Sequence, residues 1–177
     1  MEKIITILGS TGSIGKQALE VVDMQGYKVL ALTANGSADI LEEQIRKYKP
    51  QYAALADEKK AHELALSVAD TGTKVLSGKE GVCFCASHKA DYVLNSIVGM
   101  AGLRPTVSAI EAGNDIALAN KETLVTAGHI IMPLAAKKGV KILPVDSEHS
   151  AIFNLTQKIG TDNIDEIVIT ASGGPFR

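Results

Sequence analysis

Cysteine is scarce in this sequence: Cys83 and Cys85 are the only two, with a single residue between them. Such a pair has neither the CxxC spacing of a redox site nor that of a zinc-ligand pair. No signal peptide opens the chain, so a reducing cytoplasm is the expected compartment. Strand-like sequence begins by Lys3, which leaves no room for a transit peptide. No apolar run approaches the roughly 20 residues of a membrane span. Charge of one sign is not in excess either. The formal net charge is −2, which gives no support to nucleic acid or an anionic membrane as partner. Internal repeats, low-complexity runs and long Pro/Ser linkers are absent. What is there is a globular composition: 177 residues, 46% of them apolar, enough for the core of one domain or slightly more.

Short apolar runs alternate with helical patterns. Strands are expected near Ile4–Leu8, Lys28–Thr33, Tyr52–Ala56, Lys74–Leu76, Tyr92–Asn95, Ile116–Ala119 and Lys141–Pro144. Helices are expected between them, over Ser13–Met24, Ala38–Tyr48, Asp57–Ala69, Lys79–Ser87, Leu103–Ala112 and Lys121–Lys137. The strands are continuously apolar rather than alternating, which suits a parallel sheet covered on both faces. The expected fold class is therefore α/β, a doubly wound, mostly parallel Rossmann-type sheet over residues 1–145. After that the register changes, to a short helix (Glu148–Leu155), the polar loop TQKIGTDNID and a lone strand (Glu166–Thr170). Residues 146–177 read as the beginning of a second, α+β domain. A last strand running into Gly-Gly-Pro, with nothing to cover it, suggests a piece of a longer protein.

The first strand ends at Leu8, and Gly9, Gly12 and Gly15 follow before the helix. Ligands of parallel sheets gather at the carboxyl ends of the strands. A helix opening there presents unpaired N–H groups and the positive end of its dipole, a seat for a pyrophosphate. Gly9 would make the tight turn, Gly12 would let backbone reach the phosphates, and Gly15 would let helix pack on strand. Thr11 and Ser13 add hydroxyl donors. The other reading is a plain strand-to-helix turn with Ser10, Thr11 or Ser13 as N-cap. At the end of the second strand, NAD sites usually carry an acid for the ribose hydroxyls. Here the chain reads Thr33-Ala34-Asn35-Gly36-Ser37. No acid sits at the tip, and Asn35, Gly36 and Ser37 could donate to a 2′-phosphate, which favours NADP. Asp39 lies nearby and opens the next helix.

Two later stretches break or bend local rules. In IALANKETLVTAG, Asn120 is a good N-cap and Glu122 complements the helix dipole, but Lys121 opposes it. A rule broken at a strand's carboxyl end hints at function. In LPVDSEHSAIF, Asp146 and Glu148 stand at i, i+2, an oxygen pair suited to Mg²⁺ or Mn²⁺. From the residues alone the stronger reading is that Asp146 caps a helix with Glu148 in its first turn; His149 reads as a helix-surface residue. Two carboxylates do not complete a metal site. In TASGGPFR, Ser172 with Gly173-Gly174 is either an anion-binding nest or a simple turn.

The segments GSTGSIG, LANKETLV, LPVDSEHSAIF and SGGPFR, in this order from Gly9 to Arg177, resemble the 1-deoxy-D-xylulose 5-phosphate reductoisomerase family. The resemblance implies a three-part protein: an NADPH-binding domain, a central catalytic domain and a C-terminal helical domain. This chain would cover the first part and the beginning of the second. Matched by position, Thr11, Gly12, Ser13 and Ile14 would line the NADPH phosphates, and Asn35, Gly36 and Ser37 would face the adenosine ribose phosphate. Family members often carry a basic residue in that second loop, where this chain has Ser37. Asn120 and Glu122 would contact cofactor. Lys121 would contact substrate and stabilise developing oxygen charge. Asp146 and Glu148 would hold the divalent metal (Mg²⁺ or Mn²⁺, with Co²⁺ also compatible), and Ser147, Glu148 and Ser172 would touch the sugar phosphate. Lys121 and Glu148 would be the catalytic pair. The family's third metal carboxylate, substrate histidine, remaining phosphate ligands and flap would lie beyond residue 177. A homodimer is implied for the whole protein.

Two rivals remain. A non-catalytic NADP-binding module would need only the glycine loop. An enzyme resembling aspartate-semialdehyde dehydrogenase shares such a loop but needs a nucleophilic cysteine. Cys83 and Cys85 fall in an expected helix, GVCFCAS, away from strand ends, and read as ordinary buried residues.

Overall fold

The computed structural model describes residues 2–169. Seven strands form one sheet: β1 (Ile4–Leu8), β2 (Lys28–Ala34), β3 (Tyr52–Leu55), β4 (Lys74–Ser77), β5 (Tyr92–Asn95), β6 (Asp115–Leu118) and β7 (Ile142–Pro144). Their order is β4-β3-β2-β1-β5-β6-β7, and every neighbouring pair runs parallel. Helices α1 (Ser13–Gln25), α2 (Ala38–Tyr48), α3 (Glu58–Ser67), α4 (Gly78–Ser87), α5 (Leu103–Glu111) and α6 (Lys121–Lys138) make the crossovers, and α7 (Ser147–Ile159) follows β7. The expected mostly parallel sheet is wholly parallel.

Period-2 alternation decides which face each strand residue serves. Ile7, Leu32, Ala53, Leu55 and Leu94 pack with Leu19 and Val22 of α1, Leu41 and Ile45 of α2, and Ala61 and Leu64 of α3. Their neighbours Leu8, Ala31, Ala54 and Val93 pack on the other face with Val82 and Cys85 of α4, Ala109 and Ile110 of α5, and Ala127 and Ile131 of α6. Both faces are therefore buried, which is why the strands read as unbroken apolar runs. The chain winds outward from β1 to β4, then crosses back to lay β5 on the other side of β1. At that switch the connections after β1 and β5 diverge and open a crevice at their carboxyl ends.

The chain divides into two compact units, one ending at Val145 and the other beginning at Asp146. The helix after β7 is longer than the expected Glu148–Leu155, running from Ser147 to Ile159 before Gly160 takes a positive φ of 80°. The expected strand over Glu166–Thr170 does not form across its described part, Glu166–Ile169, and Thr170 lies outside the described residues. An apolar run becomes a strand only when a partner takes its backbone N–H and C=O groups. No described helix is long and apolar enough to cross a membrane.

Candidate cofactor-binding site

The three glycines between β1 and α1 serve different ends. Gly9 holds φ at 85°, a left-handed turn that favours glycine. Its N–H and that of Ser10 both donate to the Thr33 carbonyl, at 3.0 and 2.8 Å, locking the loop to the end of β2. A Cβ on Gly9 would also lie 2.9 Å from Ser96 Oγ, just past β5. On Gly15 it would lie 2.3 Å from the Gly9 carbonyl oxygen and 2.5 Å from Ser10 Cα, backbone that has nowhere to go. Gly12 is unlike both. Its φ of −76° suits any residue, and an added Cβ would meet only the Gly9 oxygen, at an ordinary 3.5 Å. The fold does not require glycine there; an approaching ligand would.

Helix α1 starts at Gly12 with no side chain capping it. Ser10, Thr11 and Ser13 are thus not its N-cap. Ser10 is fully buried and occupied elsewhere: its Oγ donates to Gln44 Oε1 at 2.7 Å, and Gln44 Nε2 donates back to the Ser10 carbonyl at 3.0 Å. The first-turn N–H groups of α1 are left for an acceptor from outside the helix. Gly12, where the helix starts, lies in the wall of a cavity of about 650 Å³ in the first unit, together with Thr11, Asn35, Ser96 and Ile97. Its volume is that of a small-molecule site, and it opens at the β1–β5 switch.

The other expected residues of the first unit are not in the wall of this cavity. Ser13 is exposed and Ile14 half-buried at the start of α1. Gly36 and Ser37 continue from Asn35 but are not in the wall. Asn120 is 3% exposed, and both ends of its amide are engaged. Its Oδ1 accepts from the Thr123 N–H and hydroxyl, each at 2.9 Å, which makes it the cap of α6. Its Nδ2 donates to the Gly99 carbonyl at 2.7 Å and to that of Ile97. Asn120 therefore holds the loop after β5, and the loop lines the cavity. Lys121 is exposed and Glu122 half-buried in the first turn of α6; neither is in the wall.

In the second unit, Asp146 caps α7. Its Oδ1 accepts the His149 N–H at 2.9 Å and meets His149 Nδ1 at 2.7 Å. Desolvation alone would raise this carboxyl. The His149 backbone and ring outweigh it and hold the group below the usual carboxylate range. Ser147 Oγ donates to Glu148 Oε2 at 2.9 Å. Among the described residues no three His, Cys, Asp or Glu side chains gather as a metal site. Ser172 lies outside the described residues.

The cavity wall also contains Ser96, Lys79 and Arg104, which sequence reasoning passed over, and Cys83, which it read as an ordinary buried residue. Ser96 Oγ donates to the Leu8 carbonyl at 2.8 Å, so β5 braces the glycine turn. The polar Asn95-Ser96 pair closing an apolar strand was its one available signal. Cys83 corrects the expectation that both cysteines are ordinary buried residues away from the strand ends. Its α4 helix places it in the wall, whereas Cys85, two residues on, is fully buried and its thiol is pushed up to about 12 by desolvation.

Residues 5–128 match the model of the 1-deoxy-D-xylulose 5-phosphate reductoisomerase family, and residues 142–177 match that of the same enzyme's C-terminal domain. The protein of that name from Agathobacter rectalis is 53% identical over 177 residues, 99% of this chain and 47% of its own length. The Zymomonas mobilis reductoisomerase, solved with NADPH, superposes with a TM-score of 0.84 at 36% identity, over 87% of this chain and 41% of that one. A reductoisomerase structure holding NADPH, fosmidomycin and magnesium gives 0.82 at 39% identity, over 86% of this chain and 38% of that one. The chain spans about half the length of such relatives. On these matches, together with a parallel sheet whose glycine turn opens onto a cavity, the chain belongs to the 1-deoxy-D-xylulose 5-phosphate reductoisomerase family.

Proposed function

We propose that the whole protein converts 1-deoxy-D-xylulose 5-phosphate to 2-C-methyl-D-erythritol 4-phosphate, with NADPH and a divalent metal, and that this chain supplies the cofactor domain and the first part of the catalytic one. Gly12 carries the reading. It is the loop glycine that neither backbone angle nor packing explains, and it stands at an uncapped helix start beside a cavity.

In this reading Thr11, Gly12, Ser13 and Ile14 bind the pyrophosphate through backbone N–H groups and hydroxyls. Asn35, Gly36 and Ser37 bind the ribose phosphate. NADPH, when bound, would supply the hydride, and a divalent ion held by Asp146 and Glu148 would supply Lewis-acid chemistry toward the substrate's oxygens. Asp146 and Glu148 fit such an ion as hard oxygen donors. Lys121 places an ammonium where oxygen charge develops. That role accounts for a cation in the first turn of α6, where the dipole disfavours it. Asn120 acts through the Ile97–Gly99 loop that it holds, and Glu122 acts beside it. Ser147, Glu148 and Ser172 bind the sugar phosphate. A cytoplasmic homodimer is the form proposed for the whole protein.

Titration of this chain with NADPH, followed by the nicotinamide fluorescence, is expected to saturate; no binding would overturn the reading. Mixed with the sugar phosphate and Mn²⁺, the same chain is expected to oxidise no NADPH, because its two metal carboxylates find no third among the described residues. A normal rate would refute that account of the metal site.

A further inference from the structure

The loop that ends β2 contains no cation: it reads Ala34-Asn35-Gly36-Ser37. A doubly charged 2′-phosphate bound there would rest on neutral donors alone. The tertiary structure supplies what the loop lacks. Strands β2 and β3 pair in parallel with Ala34 opposite Leu55, which brings the two loops together. The Ala56 and Asp57 N–H groups donate to the Ala34 and Asn35 carbonyls at 3.0 and 2.9 Å. Asp57 then caps α3, its Oδ1 accepting the Lys60 N–H at 3.0 Å, so the position of Lys60 in the first turn is fixed. From there the side chain reaches back over the β2 loop. Its Nζ donates to the Gly36 carbonyl at 2.9 Å, and a Cβ built on Gly36 would lie 3.7 Å from that nitrogen.

Local stability does not account for this cation. It sits at the positive end of a helix dipole, as Lys121 does. It makes no ion pair within 4.0 Å among the described residues, and the bond it makes is to a neutral carbonyl. Of the acids on and capping α3, Asp57 is spent on the cap, Glu58 leans toward Gly78, its Oε1 3.1 Å from a Cβ built there, and Glu63, three residues on, makes no ion pair with Lys60 within 4.0 Å. An ammonium has three N–H donors, so two remain for a phosphate.

We propose that Lys60 is the residue that selects a 2′-phosphorylated dinucleotide, acting across the Gly36–Ser37 loop from α3. The proposal rests on the NADPH reading above and deepens it. A charge-assisted bond to phosphate is stronger than the neutral bonds of the loop, and it has no counterpart in NADH. Lys79 in the cavity wall is the natural control, being a second cation not bonded to that loop.

The test is titration of NADPH and NADH against the wild-type chain and Lys60→Met, Lys60→Arg and Lys79→Met. Lys60→Met is expected to weaken NADPH about tenfold and to leave NADH within about twofold. It is also expected to flatten the salt dependence of NADPH binding. Lys60→Arg keeps the preference for NADPH. Lys60 is exposed, so melting temperature stays at the wild-type value. An unchanged NADPH-to-NADH ratio in Lys60→Met, or its collapse in Lys79→Met instead, overturns the proposal while the cofactor reading stands. Failure of the wild-type chain to bind either dinucleotide overturns both.

Discussion

Helices α1 and α7 each follow a sheet strand, yet they begin in opposite ways. Helix α1 starts on Gly12, with no cap and no acid in its first turn. Helix α7 starts on Asp146, whose carboxylate caps it, with Glu148 in the first turn. Burial runs the other way. Helix α1 buries Gly15, Leu19 and Val22, whereas α7 buries no residue, and its Leu155 and Ile159 are 61% and 51% exposed. A helix held by tertiary packing can leave its N-terminal N–H groups open for a ligand. A helix without packing depends on its own cap. The open start is the one with binding capacity to spare.

The largest expected effect comes from the packed start. Gly15→Ala forces a Cβ to 2.3 Å from the Gly9 carbonyl oxygen, and should destabilise the first unit by about 3 kcal/mol or more. Thermal unfolding measures it, and a melting point near wild type would mean that α1 is not docked as described. Gly12→Ser sharpens the contrast. It offers α1 a cap and clashes with nothing, so stability should change by about 0.5 kcal/mol or less. NADPH affinity should nevertheless drop roughly tenfold or more, because the side chain takes the ligand's place. Equal binding by both proteins would deprive Gly12 of its role.

At α7 the dependence is local. Asp146→Ala should cost about 1 kcal/mol of helix stability, read as faster amide exchange over residues 147–150, with the first unit's melting unchanged. Asp146→Asn should restore the helix, since asparagine caps as well, but not metal affinity in the whole protein. If asparagine restored both, the carboxylate would be only a cap. The smallest effect is in pH. The folded Asp146 carboxyl titrates below its ordinary range. Its support of α7 is therefore full above that range and is lost as pH falls through the lowered value. Exchange in the first turn of α7 should accelerate on acidification, and Asp146→Asn should abolish that response. A response that survives the substitution would trace to another group.

Much of the fold was legible because its signals are local. Continuous apolar runs fixed β1 and β5 to the residue, Ile4–Leu8 and Tyr92–Asn95, and Gly26 and Gly139 close α1 and α6 in left-handed turns. The cap on α6 at Asn120 was readable for the same reason. The run Glu166–Ile169 misled because a strand is a property of two segments, and apolar residues alone do not specify the partner. At the site, the glycine spacing could be read directly, since turn angle and helix contact act between near neighbours. Ser96, Lys79, Cys83 and Lys60 could not, because nothing in the sequence states that β5 lies beside β1 or that α3 begins beside the β2 loop.

The sequence by itself determined the elements, their parallel kind and the loop that an anion would meet, because hydrophobic period and glycine geometry are written residue by residue. The tertiary structure alone decided the strand order, and with it which loops face one another across the cavity. That choice depends on how two apolar faces are covered at once, an energy shared by residues far apart in the chain.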